Sequence, residues 1–322
     1  MTSRVLVPAC LYIATGFHVP AEAQFIKEGS IGKPPAAQSE PQAGSCAFRP
    51  LSKMKGERLL FLPSPKSLQQ YGYQKFEGGT GEYGHPTYKE AVGRIGVLTD
   101  IAVKPSIIGG EEYTVAITME GNHKVYTHKS LLGEPESLSG VAFVSDLECA
   151  KKQLLGKTIW YIGAGTDQNG IQVYDEAIDK TTKLDFLKPV RLQVKEVVAS
   201  WFADSPVRLI VETDSGSEAF ADTSLSGINV APKWFSPFED SFTLEDPRKL
   251  YNWPEKVWQA IREHKVYVGM TQQQVAFSWG KPMPDHIKST ITANGKSEQW
   301  HYAAQARNLY FEDGVLTAMQ SN

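Results

Sequence analysis

From Cys46 to about Asp246, apolar and polar residues alternate in short runs rich in β-branched and aromatic residues, interrupted by Gly, Pro, Asn and Asp. Period-two alternation sends successive side chains to opposite faces of a strand, so this stretch predicts antiparallel β-structure. Helical periodicity is nearly absent there. After Pro254 the period changes. PEKVWQAIREHK (Pro254 to Lys265) opens with proline at a helix start and places Val257, Trp258 and Ile261 on one face. A second helix follows Gly269: Thr271-Gln-Gln-Gln274 has the form of a capping box, Met270 is placed to staple onto Val275, and Gly280 and Pro282 stop the helix. Beyond Pro282 alternation returns in KSTIT, SEQWHY, LYFED and VLTAM, with Asn294-Gly295 and Asp313-Gly314 as turns, and three or four antiparallel strands are expected. Trp300 and Tyr302 share one face of their strand, which leaves His301 on the other.

The β-rich part reads as a diverged tandem repeat. CAFRPLSKMKGERLLFL (Cys46 to Leu62) parallels CAKKQLLGKTIWYI (Cys149 to Ile162): Cys-Ala, a basic stretch, Gly and an apolar strand. VLTDIAV (Val97 to Val103) then matches LQVKEVV (Leu192 to Val198), YTVAITMEG (Tyr113 to Gly121) matches RLIVETDSG (Arg208 to Gly216), and KSLLG (Lys129 to Gly133) matches TSLSG (Thr223 to Gly227). Chance likeness between two β-rich segments is the competing account. The expected fold is multidomain and mainly β. Residues 46–148 and 149–246 form two small antiparallel β units, barrel or sandwich, and 247–322 form a C-terminal α+β domain with two helices on one face of a meander.

Residues 1–23 have the layout of a cleavable signal peptide: basic Arg4, an apolar run from Val5 to Phe17, and Ala21-Glu22-Ala23 as the small-x-small site. Residues 24–45, rich in Pro, Gly, Ser and Ala, are expected to be a disordered leader. Pro8 and Gly16 keep the apolar run below the ~20 residues of a spanning helix, and no later segment reaches that length. Cys10 lies close behind Arg4 with apolar residues continuing past it, so cleavage at Ala23 is favoured over an outer-membrane lipoprotein lipidated at Cys10. In an oxidising periplasm, a Cys46–Cys149 disulfide is the expected state of the two cysteines that remain.

Charge removes one class of partner. With 33 Lys+Arg against 36 Asp+Glu, a net of -3 and no basic block, nothing draws a polyanion, and no nucleic-acid partner is expected. Candidate chemistry is thin. GTGEYG (Gly79 to Gly84) has G-x-G-x-x-G spacing, but His85-Pro86 follows where a dinucleotide site needs a helix start, so a mobile, tyrosine-bearing surface loop is expected. WYIGAGTDQNG (Trp160 to Gly170) does follow a strand, yet Asn169-Gly170 predicts a hairpin turning back into IQVYDEA. His85, His123 and His128 are the candidates for a zinc site, but HKVYTH reads as a strand whose odd separation parts the last two. No Gly-x-Ser-x-Gly elbow, HExxH or Walker loop occurs. No catalytic residue, metal ligand or cofactor is predicted.

Gly269-Met270-Thr271, a helix bearing Val275, the Gly280-x-Pro282 stop, Glu298-x-Trp300-x-Tyr302, and Leu309-Tyr310-Phe311 before Gly314 come in one order. With these motifs, residues from about 254 to 318 resemble the BamE-like (SmpA/OmlA) domain of Gram-negative outer-membrane lipoproteins. The resemblance implies a two-helix, three-strand fold, a cell-envelope setting and a non-catalytic part in outer-membrane assembly or maintenance through protein contacts. Secreted β-lactamase inhibitor protein has a similar two-helix, sheet-backed unit, so inhibition of a hydrolase is the alternative function, and a peptidoglycan-binding module a further one; fold alone does not choose. Trp300, Tyr302, Tyr310 and Phe311 are expected mostly in the helix–sheet core, with His301 and Tyr310 as the candidate partner surface. The expected protein is a non-enzymatic periplasmic adaptor with a protein partner in the envelope.

Overall fold

Three antiparallel sheets organise the computed structural model, which describes residues 51–131, 133, 138–164, 170–175, 180–184, 188–202, 205–225, 238–293 and 295–321. The expected signal peptide (1–23) and leader (24–45), with Cys10 and Cys46, lie outside the described residues.

The first sheet contains β1 (Arg58–Phe61), β2 (Ile95–Pro105), β3 (Glu111–Met119), β4 (Val125–Ser130) and β5 (Val141–Phe143), in the order β4-β3-β2-β1-β5. Single helical turns α1 (Lys66–Gln69) and α2 (Tyr88–Ala91) lie between β1 and β2, and α3 (Val144–Leu154) leads into the second sheet. That sheet has β6 (Thr158–Tyr161), β7 (Gln172–Asp175), β8 (Lys180–Lys183), β9 (Val190–Phe202), β10 (Ser205–Thr213), β11 (Glu218–Thr223) and β12 (Phe242–Thr243), in the order β12-β6-β9-β10-β11-β7-β8. Without the β7–β8 hairpin the two orders coincide strand for strand. Both sheets have two end strands, so among the described residues neither is a closed barrel.

The likeness reaches single residues. Leu98 pairs with Ile117 and Asp100 with Ala116, leaving Thr99 as a bulge; Val194 pairs with Val211 and Glu196 with Ile210, leaving Lys195 in the same place. Gly56 N–H donates to Leu98 O as Gly156 N–H donates to Val194 O. The structure therefore matches Leu98 with Val194 and Val115 with Leu209, one residue away from the pairings that sequence matching suggests. A slip of one exchanges the faces of a strand. The slip is invisible in the alternation because β10 is buried on both faces over Ser205–Leu209.

Two expectations fail here. Helix α3 spans eleven residues where almost no helical period is visible. Asp146 in its first turn and Lys151 and Lys152 in its last suit the helix dipole, and Cys149, Ala150 and Leu154 face the core. The line drawn between residues 148 and 149 passes through this helix. Cys149 is buried and disulfide-bonded. The second failure is the hairpin after Trp160: β6 already has β9 on one edge and β12 on the other, so β7 crosses over to pair with β11.

After α4 (Phe238–Ser241) and α5 (Pro247–Leu250), helices α6 (Glu255–Arg262) and α7 (Gln272–Trp279) pack on a meander of β13 (Ile287–Thr292), β14 (Gly295–Tyr302), β15 (Arg307–Glu312) and β16 (Val315–Ser321). The meander has four strands, within the three or four expected from alternation and one more than the resemblance implies, because β13 runs beside β14 from Ile287–Trp300 to Thr292–Gly295. The capping box forms: Gln274 N–H donates to Thr271 Oγ1 at 3.3 Å and Thr271 N–H to Gln274 Oε1 at 2.9 Å. Gly280 ends α7 at φ 80°, ψ 165°, a conformation only glycine adopts without strain. Asp313 and Gly314 both have positive φ, as a tight I′ hairpin turn requires. Met270, Val275, Leu309 and Phe311 are wholly buried, and Pro282 is buried as well. This core is shared: Ile162 and Ala164, which follow β6, pack into it, and Lys281 N–H donates to Ala164 O at 3.0 Å.

Candidate functional site

The C-terminal sheet has one filled face and one open face. Trp300 and Tyr302 turn into the core, and the Tyr302 hydroxyl donates to Gly280 O at 2.7 Å. Burial pushes that phenol well above its ordinary range. Register then sends Gln299, opposite Tyr310, and His301, opposite Asn308, to the other side. His301 Nδ1 lies 3.0 Å from Asn308 Oδ1, Gln299 Nε2 donates to the same oxygen at 3.2 Å, and the Tyr310 hydroxyl donates to Gln320 Oε1 at 2.7 Å. The His286 ring stands 5.5 Å from that of His301. Both residues expected at a partner surface thus share one half-exposed polar face. Sequence reading missed Gln299, Asn308 and Gln320, whose only signal is position: each lies an even step, or a cross-strand pairing, away from His301.

Two clefts flank the seam where residues 162–164 enter the C-terminal unit. The larger, about 510 Å³, is lined by Tyr161, Lys183, Leu184, Lys188, His264, Ser278, Trp279 and Gln305. The smaller, about 260 Å³, includes Glu239, Asp240, Gln272, Gln273, Lys281 and Trp300. The first falls in the size range of small-molecule sites. Ser278 and His264 are the residue types of a nucleophile and its base. Their geometry is otherwise: Ser278 Oγ donates to Lys265 O at 2.8 Å, and His264 Nδ1 meets the Ser278 carbonyl oxygen at 3.2 Å. Lys188 Nζ donates to Gly163 O at 3.0 Å and to Phe277 O at 3.4 Å, and so ties the second sheet to α7. In the smaller cleft, burial raises the Asp240 carboxyl above its ordinary value; Lys281 draws it down and Glu239 adds to the rise. No motif could reveal these clefts, since their walls come from five separate stretches of chain.

The expected mobile loop at Gly79–Gly84 is a braced turn. Gly79 N–H donates to Gly84 O at 2.7 Å and Gly81 N–H to His85 O at 2.8 Å. A Cβ on Gly79 would fall 2.1 Å from Pro86 N, so this glycine serves backbone packing. The Glu90 carboxylate accepts from Thr80 N at 3.1 Å, Thr80 Oγ1 at 3.0 Å, Thr87 N at 3.2 Å and the Lys124 ammonium. Tyr83 stands at the tip, 84% exposed.

Burial alone would raise Glu90, but Lys124 and the hydrogen bonds from Thr80 and Thr87 outweigh it and hold the carboxyl down at about 2. A carboxyl depressed in the folded state stabilises above its unfolded value of about 4.3, and that stability is lost as pH falls towards the folded value. Glu90→Gln is expected to cost about 2 kcal/mol at neutral pH and to flatten the pH dependence of stability below about 4.5. Urea titrations of both proteins at neutral and acid pH check this; an unchanged acid slope refutes it.

Of the three histidines considered for zinc, His85 Nδ1 lies 2.7 Å from Phe76 O and His128 Nδ1 2.9 Å from Lys75 O, while His123 is exposed at positive φ in the turn before β4, not in the strand that HKVYTH suggested. Burial holds the His128 imidazole below its ordinary value. Among the described residues no three of His, Cys, Asp and Glu are grouped to hold a metal ion. Nor is any helix among them long and apolar enough to cross a membrane. Compared with protein-family models, with curated proteins and with solved structures, the chain finds no match.

Proposed function

We propose that the protein is a non-enzymatic adaptor of the Gram-negative cell envelope, with a BamE-like C-terminal unit that docks a partner protein on the open face of its sheet. One observation carries this reading: the motif aromatics Trp300, Tyr302 and Phe311 fill the core, while Gln299, His301, Asn308 and Tyr310 form a flat polar face. Tyrosine beside adaptable amide groups suits an interface, where aromatic anchors supply area and the rim supplies hydrogen bonds. The disulfide at Cys149 supports an oxidising compartment such as the periplasm.

The test places a photoreactive side chain at Tyr310 and, as a control, at Tyr83, followed by illumination in envelope preparations. A discrete protein adduct from position 310 alone is the expected result. A second reading, peptidoglycan binding, is favoured by the larger cleft, where Lys183, Lys188 and Trp279 could meet carboxylates and sugar rings. No adduct at 310, together with co-sedimentation with cell-wall sacculi that Lys183→Glu abolishes, would exchange the first reading for the second. Inhibition of an added lactamase, lysozyme or protease would assign the inhibitor function instead.

A further inference from the structure

Among the described residues six strands end the three sheets, and the outer edges of five are shortened, charged or bonded over at least part of their length. Beside β4, Glu77 and Thr127 exchange hydrogen bonds of 2.8 and 3.1 Å. β5 is three residues long and buried throughout, and β12 has only two residues. β8 is bracketed by Lys180 and Lys183. The outer edge of β16 is bonded by Gly269 N–H to Leu316 O and by Leu316 N–H to Met270 O, both 2.8 Å. Among the described residues the outer edge of β13 carries one such device, Lys288: the strand spans six residues, is exposed over all but Ile287, and pairs in its sheet only with β14. An edge of this length with no strand beside it is a template for another strand.

We propose that β13 pairs antiparallel with β13 of a second copy of this chain, about a two-fold axis through Ser289. Such an axis keeps each side chain on its own face of the joined sheet, so residues with the same parity meet. Ile287 then lies opposite the partner's Ile291, Lys288 opposite the partner's Thr290, and Ser289 opposite its own counterpart. Ile291, 79% exposed in the single chain, gains an apolar cross-strand neighbour, the kind of pair that stabilises sheets. No like charges stand directly opposite. The two Lys288 lie on a diagonal of roughly 7–8 Å, close to a Debye length at physiological ionic strength, so added salt is expected to strengthen the association. Ile287 pairs with Trp300, so Ile287 and Ile291 occupy the helix side of the sheet, and the His301–Tyr310 face continues across both copies. The pairing does not depend on the adaptor reading.

The test is a charge exchange at the axis in the full chain, with association measured by light scattering and sedimentation between about 1 and 100 μM. Ser289 is exposed and faces Glu298 across the β13–β14 pair, so circular dichroism is expected to stay unchanged in both variants, while Ser289→Glu melts slightly lower and Ser289→Lys slightly higher than wild type. Each is expected to weaken self-association about five-fold, because like charges then face each other across the axis, and an equimolar mixture restores it as a heterodimer. A wild-type chain that stays monomeric over this range, or variants that associate as the wild type does, overturns the proposal.

Discussion

Asp222→Ala and Arg208→Ala are each expected to cost about 3–5 kcal/mol of stability. Arg208 Nε and Nη2 donate to the two Asp222 carboxylate oxygens, both at 2.7 Å, from directly opposite positions on β10 and β11. The Asp222 side chain is completely buried, and the guanidinium carbon lies 3.8 and 3.9 Å from the ring centres of Trp201 and Phe220. Removing one partner leaves the other charge without compensation in a medium that solvates it poorly, and Arg208→Ala also loses both ring contacts. Replacing both, as Arg208→Met with Asp222→Leu, is expected to cost less than either single change. Denaturant titrations decide. Single variants within about 1 kcal/mol of wild type would show that the pair is hydrated in solution. The equivalent positions in the first sheet, Thr114 and Lys129, carry no such pair, so the effect belongs to the second sheet alone.

Reduction of the Cys149 disulfide is the other large effect. If the bond closes onto Cys46, as the sequence predicts, it encloses a loop of about 100 residues, worth about 4–5 kcal/mol in the chain-entropy model. Helix α3, which carries Cys149, approaches β9 and β10 of the second sheet and β1 and β5 of the first, so the cross-link anchors an element that touches both sheets. Cys149→Ser and Cys46→Ser are both expected to match the reduced protein in denaturant midpoint. Peptide mapping without reductant identifies the partner thiol. A reduced chain with the midpoint of the oxidised chain would defeat the expectation.

Features that a few neighbouring residues control could be read along the chain. Thr271 and Gln274 are three apart, so their capping box is a local equilibrium; Asp313-Gly314 sets its own turn through positive φ; and the buried side of Trp300 and Tyr302 follows from alternation once a helix pair covers that face. Mainly antiparallel β-structure was readable for the same reason. The features that could not be read there depend on residues far apart in the chain. The bulges at Thr99 and Lys195 are defined by what their partner strands lack, and β7 could not pair with β6 because β9 and β12 already occupied both its edges. Glu90 holds a glycine loop together with Lys124, which arrives from the turn between β3 and β4, and Arg208 is tolerated in the interior only because Asp222 faces it. Periodicity reports which face of an element is apolar. Which face of which other element it meets is set by the long-range packing of the whole chain, and that packing has no local signature.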